Sequence, residues 1–196
     1  MIISHSDEDC VFVNCPFDKD YSNLLKAIVF TIYSCGYYPV SALSEDNALE
    51  NRLDKIIRQI KGARLGIHDI SRVTLNKNGY PRFNMPFELG LFFGASRFGN
   101  KKQKSKQALI FEKSKYSYQQ SISDLNGVDT KAHNNSTEDV IKELRNWFLT
   151  LSPRSKYASL SKIKNEFNKL NALLPDLEFN DYCIAVEEYL ELGSNY

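Results

Sequence analysis

The sequence predicts an α/β fold: a doubly wound, mainly parallel five-stranded sheet of the flavodoxin-like kind, followed by a C-terminal helical appendage. Three observations carry this. Short apolar runs of strand length alternate with segments whose apolar residues recur at helical spacing. The runs stop at polar or turn-forming residues, where a buried parallel strand hands over to a loop. The alternation ends near Ser152-Pro153, beyond which only helical periodicity remains. Residues 1–152 are therefore expected to form the α/β domain and residues 153–196 a helical extension.

Val11-Phe12-Val13-Asn14 is a continuous apolar run stopped by Cys15-Pro16-Phe17-Asp18, which reads as the first strand and the loop at its carboxyl end. From Tyr21 to Tyr33, Leu24, Leu25, Ile28, Val29 and Ile32 keep helical spacing, and Gly36 supplies the C-cap. Tyr37–Ala42 is the second strand. Residues 49–61 set Leu49, Leu53, Ile56, Ile57 and Ile60 on one face, a helix ended by Gly62. Arg64–Ile70 is the third strand, and a loop from Ser71 to Arg82 follows, with Asn78-Gly79-Tyr80-Pro81 as its turn former. The next helix opens on Asn84, a good N-cap, with Pro86 tolerated in a first turn whose N–H groups lack partners. Leu89, Leu91, Phe92, Phe93 and Ala95 continue it as a buried helix. Gln107–Phe111 is the fourth strand and Val128–Ala132 a weaker fifth. Thr137–Leu149 closes the domain with Val140, Ile141, Leu144, Trp147 and Phe148 inward. Two helical segments, near 159–174 and 180–192, make up the extension, which reads as packed on the core or on a partner.

Composition excludes several classes of function. Lys+Arg of 25 against Asp+Glu of 24 leaves a formal charge of +1, so no global field draws the chain to nucleic acid or to an anionic membrane. The cluster Lys101, Lys102, Lys104 and Lys106 has no interleaved aromatics and reads as a solvated loop. Cys10, Cys15, Cys35 and Cys183 show neither metal-ligand spacing nor a disulfide-dense pattern, and His5, His68 and His133 lie far apart, so no metal site is expected. No apolar run reaches the ~18 residues of a membrane span, and no charged-then-apolar leader opens the chain. A cytoplasmic protein is expected.

The stretch Phe83-Asn84-Met85-Pro86-Phe87-Glu88-Leu89-Gly90 is expected to set one carboxylate on the first turn of an otherwise apolar helix. The plain account is that Glu88 complements the helix dipole, worth ~0.3–1 kcal/mol. Its surroundings suggest more. In open α/β sheets ligands bind beyond the carboxyl ends of the strands, and the notable polar groups collect there: Asn14, Phe17 and Asp18 after strand one, Ser41 and Glu45 after strand two, Asp69 and Ser71 after strand three, Asn84 and Glu88 at the next helix. A carboxylate beside a second acid, walled by Phe17, Tyr80 or Phe83, suits chemistry at the anomeric carbon of a nucleoside, where loss of the base leaves an oxocarbenium-like centre. In this reading Glu88 is catalytic. Asp69 accepts from ribose hydroxyls, the helix N-termini near Asp18 and Asn84 hold phosphate oxygens, Asn14 orients a polar edge, and Ser71 lines the site or merely forms its turn.

The segments Val11 to Asp18, His68-Asp69-Ile70-Ser71 and Asn84 to Gly90 together resemble the nucleoside 2-deoxyribosyltransferase-like and TIR-like proteins of bacteria. The resemblance covers about residues 10–150. It implies that Glu88, in a Glu-Leu-Gly signature, is the active carboxylate and that Asp69, ending the third strand, is a sugar contact. It also implies NAD or a related nucleotide as substrate, no separate cofactor, and a role in anti-phage defence as a nucleotide-consuming effector or signal producer. One departure bears on the reaction. The Gly-rich turn that often follows strand one in deoxyribosyltransferases is replaced by Cys15-Pro16-Phe17-Asp18, which keeps the backbone further from a ligand and disfavours free nucleoside transfer. Base exchange, and a nucleotide-binding or assembly module without catalysis, remain the alternatives. Leu173, Leu174, Leu177, Phe179, Tyr182, Tyr189 and Leu190 in the extension point to a homo-oligomer or a partner protein.

Overall fold

Parallel strands β1 (Cys10–Asn14), β2 (Tyr38–Val40), β3 (Leu65–Asp69), β4 (Gln107–Glu112) and β5 (Lys131–Ala132) form one sheet in the order β2-β1-β3-β4-β5. The helices are α1 (Ser22–Ser34), α2 (Arg52–Gly62), α3 (Asn84–Phe98), the single-turn α4 (Lys101–Lys104), α5 (Thr137–Leu151), α6 (Leu160–Leu173) and α7 (Phe179–Ser194). The structure is a computed structural model and describes residues 6, 8–72, 79, 82–151, 157–174 and 177–194. This is the doubly wound α/β fold the sequence predicts. The chain runs outward from β1 to β2, then returns to place β3 on the other side of β1, so the topological switch point lies between β1 and β3.

The period-two alternation of each strand divides the core into two layers. Val11, Val13, Leu65, Ile67, Leu109 and Phe111 face one side and pack with Ile28 and Ile32 of α1 and Val140, Leu144 and Phe148 of α5. Phe12 faces the other side with Ile56 and Ile60 of α2 and Phe92 of α3. Helices α6 and α7 add a third layer outside α1: Ile163, Phe167, Leu170, Phe179, Tyr182 and Val186 are buried in the same cluster as the α1 side chains. The Phe30 and Phe167 rings meet edge-on at 5.8 Å.

Several boundaries differ from the sequence reading for local reasons. Helix α2 starts at Arg52 because the Asn51 side chain accepts from the Asp54 N–H and caps it there, which leaves Leu49 outside the helix and 98 % exposed. Helix α3 begins with Asn84 inside it and Phe83 as an N-cap without a side-chain hydrogen bond, so Glu88 falls in the second turn. Its inward stripe is narrow: Met85, Glu88, Leu89 and Phe92 are buried, whereas Leu91, Phe93 and Ala95 are only half-buried. Strand β5 has two residues because Val128 bonds back to Leu125 in a turn. The turn Asn78-Gly79-Tyr80-Pro81 and the boundary at Ser152-Pro153 fall largely outside the described residues.

Candidate active site

Glu88 is the polar member of a buried stripe with i, i+3, i+4, i+7 spacing that lays α3 on the sheet. It is 7 % exposed. No hydrogen bond or ion pair links it to another described residue. Burial pushes its carboxyl above the ordinary range, and Arg52 at the start of α2 pulls it partly back. The thiol of Cys15, just beyond β1, is pushed well up by burial and then by the charges of Asp69, Glu88 and Asp18. The charges of three carboxylates named from the sequence thus act on one buried thiol at the end of β1.

Asn14 ends β1 and is paired in register with His68 of β3. Its amide nitrogen lies 2.9 Å from the Met85 carbonyl and 3.0 Å from His68 Nδ1. Burial first, then Lys106, pulls the His68 ring down to about 3, so it is neutral. Lys106 itself donates to the Ile60 and Ala63 carbonyls and lies over the Phe92 ring at 4.7 Å, which makes it a cap on the end of α2.

Asp69 lies at the end of β3 on the α1 side and is fully buried. Its Oδ1 accepts from the Ser71 N–H at 2.8 Å and its Oδ2 from the Tyr21 hydroxyl at 2.5 Å. His133 Nε2 sits 3.1 Å from the same Oδ2, although the ring N–H is not aimed well enough for a hydrogen bond. The Asn135 N–H donates to His133 Nδ1 at 3.0 Å, which leaves the ring proton on Nε2, facing Asp69. Asp69 therefore ties the entry to α1 to the loop after β3, with the His133 ring of the loop before α5 beside it.

Asp18, half-buried, binds Arg72 and Arg82 at 3.0 Å each and so straps the β1 loop to the segment between β3 and α3 across the switch point. Phe17 and Asn84 are exposed at that edge and Ser71 is half-buried. Ser41 is buried, with its carbonyl accepting from Gln59. Glu45 is bound to Arg58 at 2.6 Å. Tyr80 lies outside the described residues.

A cleft of about 630 Å³ opens beside the strap, between the entry to α1 and the N-terminus of α5. Tyr21, Ser71, Arg72, Lys113 and residues 135–138 line it, together with Asp20, Asn23 and Leu24. Glu88 is not in this lining. The Ser136 side chain caps α5 through the Asp139 N–H, which leaves the N–H groups of Thr137 and Glu138 in the helix's first turn at the cleft. Glu138 is bound to Lys164 at 2.7 Å. Among the described residues no group of three His, Cys, Asp or Glu side chains is arranged to hold a metal ion, and no helix is long and apolar enough to cross a membrane.

Tyr21, His133 and Arg72 are the functional candidates that sequence reasoning missed. Tyr21 reads as the apolar opening of a helix and His133 as an isolated imidazole, and both meet Asp69 only because the 2-1-3-4-5 order brings three loop ends together. No protein-family model and no curated protein matches the chain.

Proposed function

We propose that the protein is an N-glycosyl-bond-cleaving enzyme acting in the cytoplasm on NAD or a related nucleotide, with Glu88 the carboxylate at the anomeric carbon. The observation that carries this reading is a nearly buried glutamate on an apolar helix face, without a partner among the described residues, at the carboxyl edge of a doubly wound sheet. A carboxylate kept there costs stability unless a ligand uses it. As the base departs, positive charge develops on the ring carbon, and a desolvated carboxylate stabilises or captures that charge far better than one in water. The lining of the cleft by Arg72, Lys113 and the N-terminus of α5 supports a nucleotide with phosphates. Asp69 serves such a site from behind, by fixing Tyr21 and Ser71.

The test is incubation of the full chain with NAD, other nucleotides and nucleosides, with chromatographic detection of released base and Glu88→Gln as control. Turnover that survives in a folded Glu88→Gln variant removes the proposal. Added free base distinguishes hydrolysis from exchange. A second reading, a nucleotide-binding module without chemistry, is favoured by the lining of the described cleft, which leaves Glu88 out. Calorimetry that finds binding weakened by Lys113→Ala, beside a product assay that finds nothing, selects it. Anti-phage defence is supported by the sequence resemblance, and self-association through α6 and α7 by the exposure of Leu173 and Ile184 at 71 % and 55 %. Sedimentation over a range of concentrations checks the latter.

A further inference from the structure

We infer that Asn14 is a positioning residue for Glu88: its one amide group clamps the first turn of α3 to the ends of β1 and β3. The inference rests on the proposed role of Glu88. Its geometry is independent of that role.

Met85 and Glu88 lie three residues apart on the buried stripe of α3, so whatever fixes the Met85 carbonyl fixes the turn from which Glu88 projects. The Asn14 amide nitrogen reaches that carbonyl at 2.9 Å and His68 Nδ1 at 3.0 Å. Only a donor satisfies the carbonyl, so the amide orientation is forced and both of its N–H groups are used within the fold. His68 Nδ1 must then accept, and the ring proton resides on Nε2. That nitrogen is buried with no hydrogen-bond partner among the described residues, and the ring meets Phe92 of α3 edge-on at 4.9 Å and 67°. A neutral ring is what this arrangement needs, and burial supplies it.

Gly66 makes room for the pair. A Cβ at that position meets His68 Nε2 and the Phe92 ring at 2.8 Å, closer than real side chains pack. The sheet therefore holds α3 at two points: Asn14 on Met85 and His68 on Phe92, one on each side of Glu88 in sequence. A displacement of about 1 Å at the reacting carboxylate costs on the order of a hundredfold in rate. The clamp is placed to prevent such a displacement.

The experiment uses the full chain with Asn14→Ala and Asn14→Leu, the second keeping the branched outline of the side chain so that a folded variant is in hand if the first fails to fold. Two readouts are taken. The Glu88 side-chain carboxyl is titrated by carbon-13 NMR and assigned with Glu88→Gln, and steady-state cleavage of NAD is measured. Cys15 and Arg52, the titratable groups that interact electrostatically with Glu88 among the described residues, are the same in every variant. Loss of the clamp is expected to let water reach the α3 turn, so that Glu88 titrates nearer the ordinary carboxylate range. The expected kinetic effect is a fall in kcat of ~10- to 100-fold with KM within about twofold. A cooperatively folded variant with an unchanged Glu88 titration and unchanged kcat overturns the inference. Should the wild-type protein cleave no nucleotide, the proposed reaction fails and the titration alone decides the clamp.

Discussion

At the scale of single residues, the role proposed for Glu88 couples function to instability. Its carboxyl is raised in the fold, chiefly by burial, so the folded state holds the proton more tightly than the unfolded chain. Stability from this group is therefore greatest at acid pH and falls as pH rises from the unfolded carboxyl's range through the folded value. Glu88→Gln removes the buried charge and is expected to stabilise the protein at neutral pH by about 0.5–2 kcal/mol, while cleavage falls on the order of 10³-fold or more. A denaturant midpoint and a product assay on the same sample check both, and a destabilised glutamine variant overturns the argument. If the proposed cleavage takes place, the acid limb of kcat/KM in the wild type is expected to lie above that of an ordinary carboxylate and to be lost with the glutamate. Asp69, by contrast with Glu88, accepts hydrogen bonds through both of its oxygens. Removing it in Asp69→Ala strands the Tyr21 hydroxyl and the Ser71 N–H, at a cost of about 3 kcal/mol read from urea unfolding. Glu88 was legible in the sequence because it interrupts an apolar helix, and Asp69 because it ends an apolar strand. Their partners were not, since Tyr21 and His133 come from loops that periodicity does not bring together.

At the scale of elements, the connection between β4 and β5 depends on one carboxylate. Glu112 ends β4 fully buried and accepts from the Tyr116 N–H at 3.0 Å, the Ser117 N–H at 2.7 Å and the Thr130 hydroxyl at 2.5 Å. Burial pushes its carboxyl up, but these hydrogen bonds outweigh burial and hold it below the ordinary range. The stability it contributes is present above the unfolded carboxyl's value and is lost as pH falls through the folded one. Hydrogen exchange is therefore expected to show the Tyr116 and Ser117 amides losing protection first on acidification, and losing it at neutral pH in Glu112→Gln at a cost of about 1–3 kcal/mol. Protection at these amides that is indifferent to both changes sinks the claim. The sequence signal was strong for β1, β3 and β4, whose apolar runs are buried on both faces, and weak for β5. A pairing that rests on two residues and a side-chain acceptor leaves no periodic trace. The start of α2 was misplaced for a related reason: the Asn51 cap outweighs the apolar spacing of Leu49, which the structure leaves in solvent.

At the scale of the whole molecule, the helices beyond residue 157 complete the core over α1. Apolar spacing in the extension was visible in the sequence, but an amphipathic stripe does not name its partner, so packing on the core and association through residues such as Phe179 and Tyr182 were both open. Both are buried within this chain. Lys26 of α1 shows how intimate the contact is, since its ammonium reaches the Leu174 carbonyl at 3.4 Å and lies over the Tyr182 ring at 5.6 Å. Each large apolar side chain buried there contributes roughly 1.5–3 kcal/mol, and Ile163, Phe167, Leu170, Phe179, Tyr182 and Val186 are six of them. That sum reaches the ~5–15 kcal/mol by which a whole domain is stable. A chain cut after Leu151 is therefore expected to lose cooperative folding, whereas Phe167→Ala, which leaves a cavity beside Phe30, lowers stability by about 3–5 kcal/mol and keeps the fold. Thermal unfolding of the two proteins separates the possibilities. If the truncated chain melts cooperatively at the temperature of the full one, α6 and α7 are an attachment after all, and their buried faces must be accounted for by something other than the stability of the sheet.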